Sequence, residues 1–242
     1  MYRHFVRPCA PLIGLALVAC QPDGGADTTA PTAAPAANPA TASSSPTQSL
    51  TPLPGMESSV PALTRATTVL METTAGDVTI EVYPEAAPNA AQRFVELVES
   101  GFYDGVPISR VVPGFVAQFG VNWRDPHRAW QDRNFADDPT LFALERGTLA
   151  FAKAGPNTNS TQVFVNYAEN NRLADPQYNF TVFGQVVNGM DVVDSFVQVG
   201  EPSGGLDQSR LWRDGGAYLE SLAVKPTMIE RAVVRRPARV ER

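Results

Sequence analysis

The chain has 242 residues, a net charge of −6 and a pI near 5.0, with 43% hydrophobic and 18% charged residues. An acidic balance, with Lys153 and Lys225 as its lysines and its arginines scattered, excludes a phosphate-tracking nucleic-acid surface. The cysteines are Cys9 and Cys20, so everything after residue 20 lacks a disulfide, a thiol nucleophile and a cysteine-based metal site.

At the N-terminus, Arg3 and Arg7 precede the apolar run "PLIGLALVA" and then Cys20. A charged start, a short apolar stretch and small residues before a cut are the layout of an export signal, here over residues 1–19. The run falls well short of the roughly twenty residues needed to cross a bilayer. Its ending, "LVAC", resembles the bacterial lipobox, in which the cysteine is lipidated and becomes the mature N-terminus. That resemblance implies a membrane anchor on Cys20. Gln21 in place of an aspartate favours the outer membrane, facing the periplasm, if the host is Gram-negative.

Residues 20–65 are mostly Ala, Pro, Thr and Ser, as in "DTTAPTAAPAANPATASSSPTQ". Such a stretch buries too little apolar surface to offset its ordering entropy and reads as a disordered tether. A chain starting near Pro61 is therefore expected to be monomeric and as active as the whole.

A folded domain is predicted over 66–235, with a short basic tail over 236–242. "TTVLMETTAGDVTIEVYP" reads as two strands around "TAGD", with Val78, Ile80 and Val82 alternating with Thr79, Glu81 and Tyr83. "APNAAQRFVELVESG" reads as a helix opened by Pro88 and Asn89, with Gln92 in capping-box position, and closed by Gly101. Strands follow at "VPISRVV" and "FVAQFG" around Pro113-Gly114, then at 147–154, 161–167 and 180–187. "GMDVVDSFVQV" reads as a second helix with Met190, Val193, Phe196 and Val197 on one face, and "MIERAVVR" as a last strand. Many short strands with two isolated helices point to a closed antiparallel barrel.

Chemistry is narrowed by what is missing. His127 is the one histidine beyond the leader, there is no G-x-S-x-G, and "GPNTNST" lacks the lysine of a phosphate loop. The adjacent carboxylates in "ADDP" read as a turn or helix cap rather than a cation site. The expected chemistry uses no cofactor, metal or covalent intermediate. Strand parity then groups Arg110 with Val112, Val116 with Gln118, and Gln162 with Phe164. If those strands are neighbours, one guanidinium, two amides and a phenyl share a patch. Taken singly, each polar residue reads as a solvated strand side chain.

As a set they match something specific. "SRVVPGFVAQFG" and "AGPNTNSTQVFVN" resemble the two signatures of the cyclophilins, and "FTVFGQVVNGMDVVDSF" resembles the strand and helix near that family's C-terminus. The resemblance spans roughly residues 67 to 235. It implies an eight-stranded antiparallel β-barrel capped by two α-helices, and peptidyl-prolyl cis–trans isomerase activity on proline-containing polypeptides. Carried over position by position, it implies Arg110 as the catalytic arginine, with Phe115, Val116, Phe164 and Leu173 as the pocket for the proline ring. Gln118 and Gln162 fall on the amides that orient the substrate, and Ala152 and Lys153 where backbone groups bind the peptide. Three positions depart from the pattern: Arg172 stands for an aromatic residue, Phe180, also at the pocket, for a histidine, and Val116 for a methionine. The alternative reading is a peptide-binding or chaperone module of the cell envelope with weak or no isomerase activity.

Overall fold

A computed structural model describes residues 50–235. The expected signal peptide, Cys20, the expected tether as far as residue 49 and residues 236–242 lie outside the described residues. Eight strands form one closed antiparallel barrel in the order β1-β2-β7-β5-β6-β4-β3-β8. The strands are β1 (Thr67–Thr73), β2 (Gly76–Val82), β3 (Val106–Val112), β4 (Val116–Phe119), β5 (Thr148–Phe151), β6 (Val163–Asn166), β7 (Val182–Asn188) and β8 (Met228–Arg235). Closure removes the free edges that would otherwise template pairing with other chains. The predicted alternation holds on β2, where Val78, Ile80 and Val82 are buried inside the barrel.

Helix α1 (Pro88–Glu99) buries Ala90, Ala91, Phe94, Leu97 and Val98 against the barrel core. The Phe94 ring lies 5.2 Å from Phe183 and 5.5 Å from Tyr103. The expected local cap is absent: the N-cap is Ala87, which offers no side-chain acceptor, and Gln92 turns to Glu96 instead. A distant residue does that work. Asp138 accepts hydrogen bonds from the Asn89 and Ala90 N–H groups at 3.2 and 2.9 Å. Half of the "ADDP" pair is thus a helix cap, made across the fold.

Helix α2 is shorter than predicted, Met190–Asp194. The Ser195 hydroxyl donates to the Val192 carbonyl at 2.7 Å, a local side-chain bond that competes with helix continuation. Phe196 is buried but Val197 is 39% exposed, so the two do not share one buried face. A third helix was not predicted at all: α3 (Gln208–Ser221), capped by Asp207, whose side chain accepts from Arg210 N–H. Its sequence is interrupted by Gly215-Gly216, which reads as a break. Gly215 does kink it, with φ 51°, and there the indole of Trp123 occupies the place a side chain would need.

Among the described residues, packing extends back to Leu50, ahead of the expected boundary at residue 66. Leu50 is buried, the Leu53 N–H donates to the Leu141 carbonyl at 2.9 Å, and the Ala143 N–H donates to the Thr51 carbonyl at 2.8 Å. Val60 and Leu63 join Leu50 in an apolar cluster outside the barrel, with Tyr83, Phe142, Leu144 and Val182. These apolar residues follow no helix or strand period, so nothing in their spacing announces them. A chain starting at Pro61 loses the Leu50 burial, worth about 1.5–3 kcal/mol. We expect it to melt earlier than one starting at Leu50 in thermal denaturation; equal melting would show that residues 50–60 contribute nothing.

Candidate active site

Strand β3 would place Ile108 and Arg110 on the same face if it alternated regularly. It does not: the register with β4 shifts between Ile108↔Phe119 and Arg110↔Gln118. The extra residue, Ser109, flips the parity, as bulges beside functional sites do. Ile108 and Val111 stay in the barrel core while Arg110 points out, beside Gln118 on β4. Gln118 in turn faces Phe164 on β6, and Phe164 faces Ala150 on β5.

The polar groups form a continuous row. Arg110 Nη1 donates to Gln118 Oε1 at 3.2 Å, and Gln118 Nε2 donates to Gln162 Oε1 at 2.8 Å. Gln162 Nε2 donates onward to Gln208 Oε1 at 3.0 Å. Arg110 Nε donates to the Ser203 carbonyl at 2.7 Å. Partial burial draws the Arg110 pKa below its usual value, yet an arginine remains cationic at physiological pH. Two of the five guanidinium N–H groups are thereby committed. The guanidinium lies 5.6 Å from the centre of the Phe115 ring.

Beside this row is an apolar cluster. Val116, Phe164 and Leu173 are buried, while Phe115, Ala152 and Phe180 are partly open, and all belong to one cluster. Phe164 and Phe180 meet edge to face at 5.6 Å. Leu50, Val60 and Leu63 belong to the same cluster, so the segment before β1 packs with the residues of the candidate site. Arg172 sits 5.7 Å from the Phe115 ring, which therefore has a guanidinium on either count.

Of the residues predicted for the site, Arg110, Gln118 and Gln162 share the polar row, and Phe115, Val116, Ala152, Phe164, Leu173 and Phe180 share the apolar cluster. Ala152 and Lys153, expected to bind a peptide through backbone groups, have the following partners. The Ala152 N–H donates to the Gln162 carbonyl at 2.8 Å, which ties the residue after β5 to the residue before β6. The Lys153 side chain is turned inward, 4% exposed, with Nζ 2.7 Å from Asp137 Oδ2 and 2.9 Å from the Asn179 carbonyl. Asp137 also accepts from the Asn157 N–H at 3.1 Å and from Asn159 Nδ2 at 2.6 Å. This carboxylate holds the loop that leads into β6. Sequence reasoning missed Asp137, Ser203 and Gln208; the one available signal was the Asp-Gln pair at a helix start, masked by the glycines that follow. A separate cleft of about 300 Å³, lined in part by Val111, Tyr167, Phe196 and the Arg146–Asp194 ion pair, contains none of the predicted site residues.

The family described as "Cyclophilin type peptidyl-prolyl cis-trans isomerase/CLD" matches residues 68–210. A peptidyl-prolyl cis-trans isomerase of Acinetobacter baylyi is 36% identical over 149 residues, covering 59% of this chain and 78% of its own. Peptidyl-prolyl cis-trans isomerase A of Dickeya dadantii is 38% identical over 144 residues, 57% of this chain and 75% of its own. Among solved structures, a cyclophilin-type peptidyl-prolyl cis-trans isomerase of Cryptosporidium parvum superposes with a TM-score of 0.53 at 20% identity, covering 72% of this chain and 99% of that one. The same protein has been solved in the presence of the dipeptide Ala-Pro.

Proposed function

The chain belongs to the cyclophilin-type peptidyl-prolyl cis-trans isomerase family, and from that membership we propose that it accelerates X-Pro rotation in exported polypeptides with Arg110 as the catalytic donor. The observation that carries the mechanism is the placement of Arg110. Ser203 and Gln118 hold its fork at Nε and Nη1, and the guanidinium stands beside Phe115 of the apolar cluster.

An X-Pro bond rotates slowly because amide resonance must be broken, with a barrier of about 18–20 kcal/mol. No covalent bond is made or cleaved. At the twisted geometry the proline nitrogen loses conjugation, becomes pyramidal and gains a lone pair. A donor aimed at that lone pair gains strength in the transition state alone, which is the condition for raising the rate. Arg110 suits this because it stays protonated and its fork is fixed before substrate arrives. Phe115, Phe164, Leu173 and Phe180 grip the ring, so that the flanking chain turns against a held pyrrolidine. In this reading the amides of Gln118 and Gln162 orient the peptide groups flanking the proline. The Ala-Pro dipeptide used with the Cryptosporidium protein supports a proline-containing ligand for this pocket.

The proposed setting is the cell envelope, with the domain anchored through lipidated Cys20 and the Ala/Pro-rich segment as spacer. The full chain is expected to speed cis–trans exchange of a short Ala-Pro peptide in a protease-coupled assay, and to label with palmitate and fractionate with membranes in a Cys20-dependent way. Absence of catalysis would leave a peptide-binding module. Membrane partitioning and labelling unaffected by Cys20→Ser would remove the anchor.

A further inference from the structure

We infer that Gln208, at the first position of α3, is a positioning residue of the isomerase site, terminating the hydrogen-bonded row that begins on Arg110; this rests on the isomerase reading above.

Direction in that row is dictated by its ends. A guanidinium has donors and no acceptor, so Gln118 must turn Oε1 toward Arg110. Its Nε2 then faces Gln162, which must answer with Oε1, and Gln162 Nε2 is left pointing away from the barrel. Gln208 Oε1 accepts that last donor at 3.0 Å. Each carboxamide has one oxygen and one NH₂, so reversing any member sets donor against donor or acceptor against acceptor somewhere along the row. An acceptor at position 208 therefore favours the single arrangement in which Gln118 holds Arg110. Without it, Gln162 Nε2 loses its acceptor and the Gln162 amide is anchored by Gln118 alone. A carboxamide tied at one end swings more freely, and that looseness passes through Gln118 to the fork of Arg110.

The backbone carrying Gln208 is built for fixed placement. Leu206 is buried, and its N–H donates to the Ser109 carbonyl at 2.8 Å, the same residue that forms the β3 bulge. Strand β3 pairs with β8 at Val106 and Pro107, and from Ser109 onward the 200–207 loop takes over that side. The loop is a tight turn in which Glu201 and Gly205 exchange two backbone hydrogen bonds of 2.8 Å. Gly205 has φ 73°, and a side chain there would collide with the Ser109 carbonyl oxygen and come within 2.7 Å of Arg110 Cα. Asp207 closes the arrangement: its N–H donates to the Tyr218 hydroxyl at 3.1 Å and its carboxylate accepts from Arg210 N–H at 2.9 Å. One continuous segment, Ser203 to Gln208, thus holds the arginine by a carbonyl at one end and by the amide row at the other.

The test compares three substitutions at one site in the full chain. Gln208→Met has similar size and no acceptor, and is expected to lower kcat/KM for an Ala-Pro peptide about tenfold, mostly in kcat, as misplacement of a reacting group does. Gln208→Glu keeps an acceptor and should stay within about twofold of the parent, the rescue expected of the hydrogen bond itself. Gln208→Lys supplies only donors and should be at least as impaired as Gln208→Met. Side-chain amide NMR gives a readout independent of turnover: the Gln118 and Gln162 NH₂ signals should shift in Gln208→Met and not in Gln208→Glu. Met and Glu variants of equal activity, or unmoved amide signals in the Met variant, would overturn the inference. A parent protein without isomerase activity would instead overturn the reading on which it rests, while the amide signals would still report on the row.

Discussion

Arg110→Ala is expected to lower kcat/KM for X-Pro isomerisation by about tenfold to a hundredfold or more, the scale of losing one preorganised transition-state donor. The effect should fall on kcat, since the ground-state amide offers the proline nitrogen no lone pair to bind. Stability should drop as well, by about 1–2 kcal/mol, because the guanidinium bonds to Ser203 and Gln118 are internal hydrogen bonds of a charged group. That is more than its reading as an outward strand side chain would give, since exposed positions usually change stability by about 0.5 kcal/mol or less. Arg110→Lys keeps the charge but cannot hold Ser203 and Gln118 together, and should also be impaired. Protease-coupled kinetics with urea denaturation separate the two effects. A wild-type rate in Arg110→Ala would remove Arg110 as the catalytic group, and a loss of rate matched by global unfolding would make it a structural residue.

The largest stability effect is expected at Asp137. The Lys153 side chain is 4% exposed and that of Asp137 13%, so removing the carboxylate strands a buried ammonium. Breaking a buried pair from one side costs about 3–5 kcal/mol. Asp137→Ala should lower the urea midpoint accordingly and reduce activity, because the loop entering β6 carries Gln162. Lys153→Met should cost less, as Asp137 keeps its donors from Asn157 and Asn159. Equal losses from the two substitutions would mean that the ion pair, and not the carboxylate's wider set of donors, is what holds the loop.

The pair also predicts a pH dependence. Burial pushes the Asp137 pKa up, but hydrogen bonds from Lys153, Asn157 and Asn159 and the lysine charge outweigh it, leaving the pKa below the ordinary value. A folded pKa below the unfolded one contributes stability that is present above the unfolded carboxylate range, near 3.9, and is lost as pH falls through the folded value. Asp138 works oppositely, its pKa raised mainly by burial. Comparison with Asp137→Asn isolates the first effect. The gap in unfolding free energy between parent and variant should be large at pH 7 and shrink steadily below about pH 4.

Strand content was legible because it depends on a local period. Val78, Ile80 and Val82 each face one way within a single strand, so alternation is written in consecutive residues. The patch of Arg110, Gln118, Gln162 and Phe164 was legible in composition, through two long motifs resembling the cyclophilins. Its geometry was not. Strict alternation sends Ile108 and Arg110 to the same face, and the bulge at Ser109 that separates them is a property of pairing with β4, not of β3.

What remained hidden has one physical cause: partners far apart in sequence. Leu50, Val60 and Leu63 have no period and acquire meaning from Phe142, Leu144 and Tyr83. The α1 cap comes from Asp138, 48 residues beyond Ala90. The Lys153 side chain is an internal counter-ion because Asp137, 16 residues away, lies against it. Helix α3 was concealed because Gly215-Gly216 spoils its propensity, and the kink is tolerated because Trp123 fills it. The sequence by itself determined the strands and the family and pointed to the candidate site residues, since these rest on short-range periodicity and contiguous motifs. The tertiary structure alone decided how Arg110 is aimed, because its support at Ser203 lies 93 residues downstream and is brought to it by a loop that bonds β3 through Leu206 and Ser109.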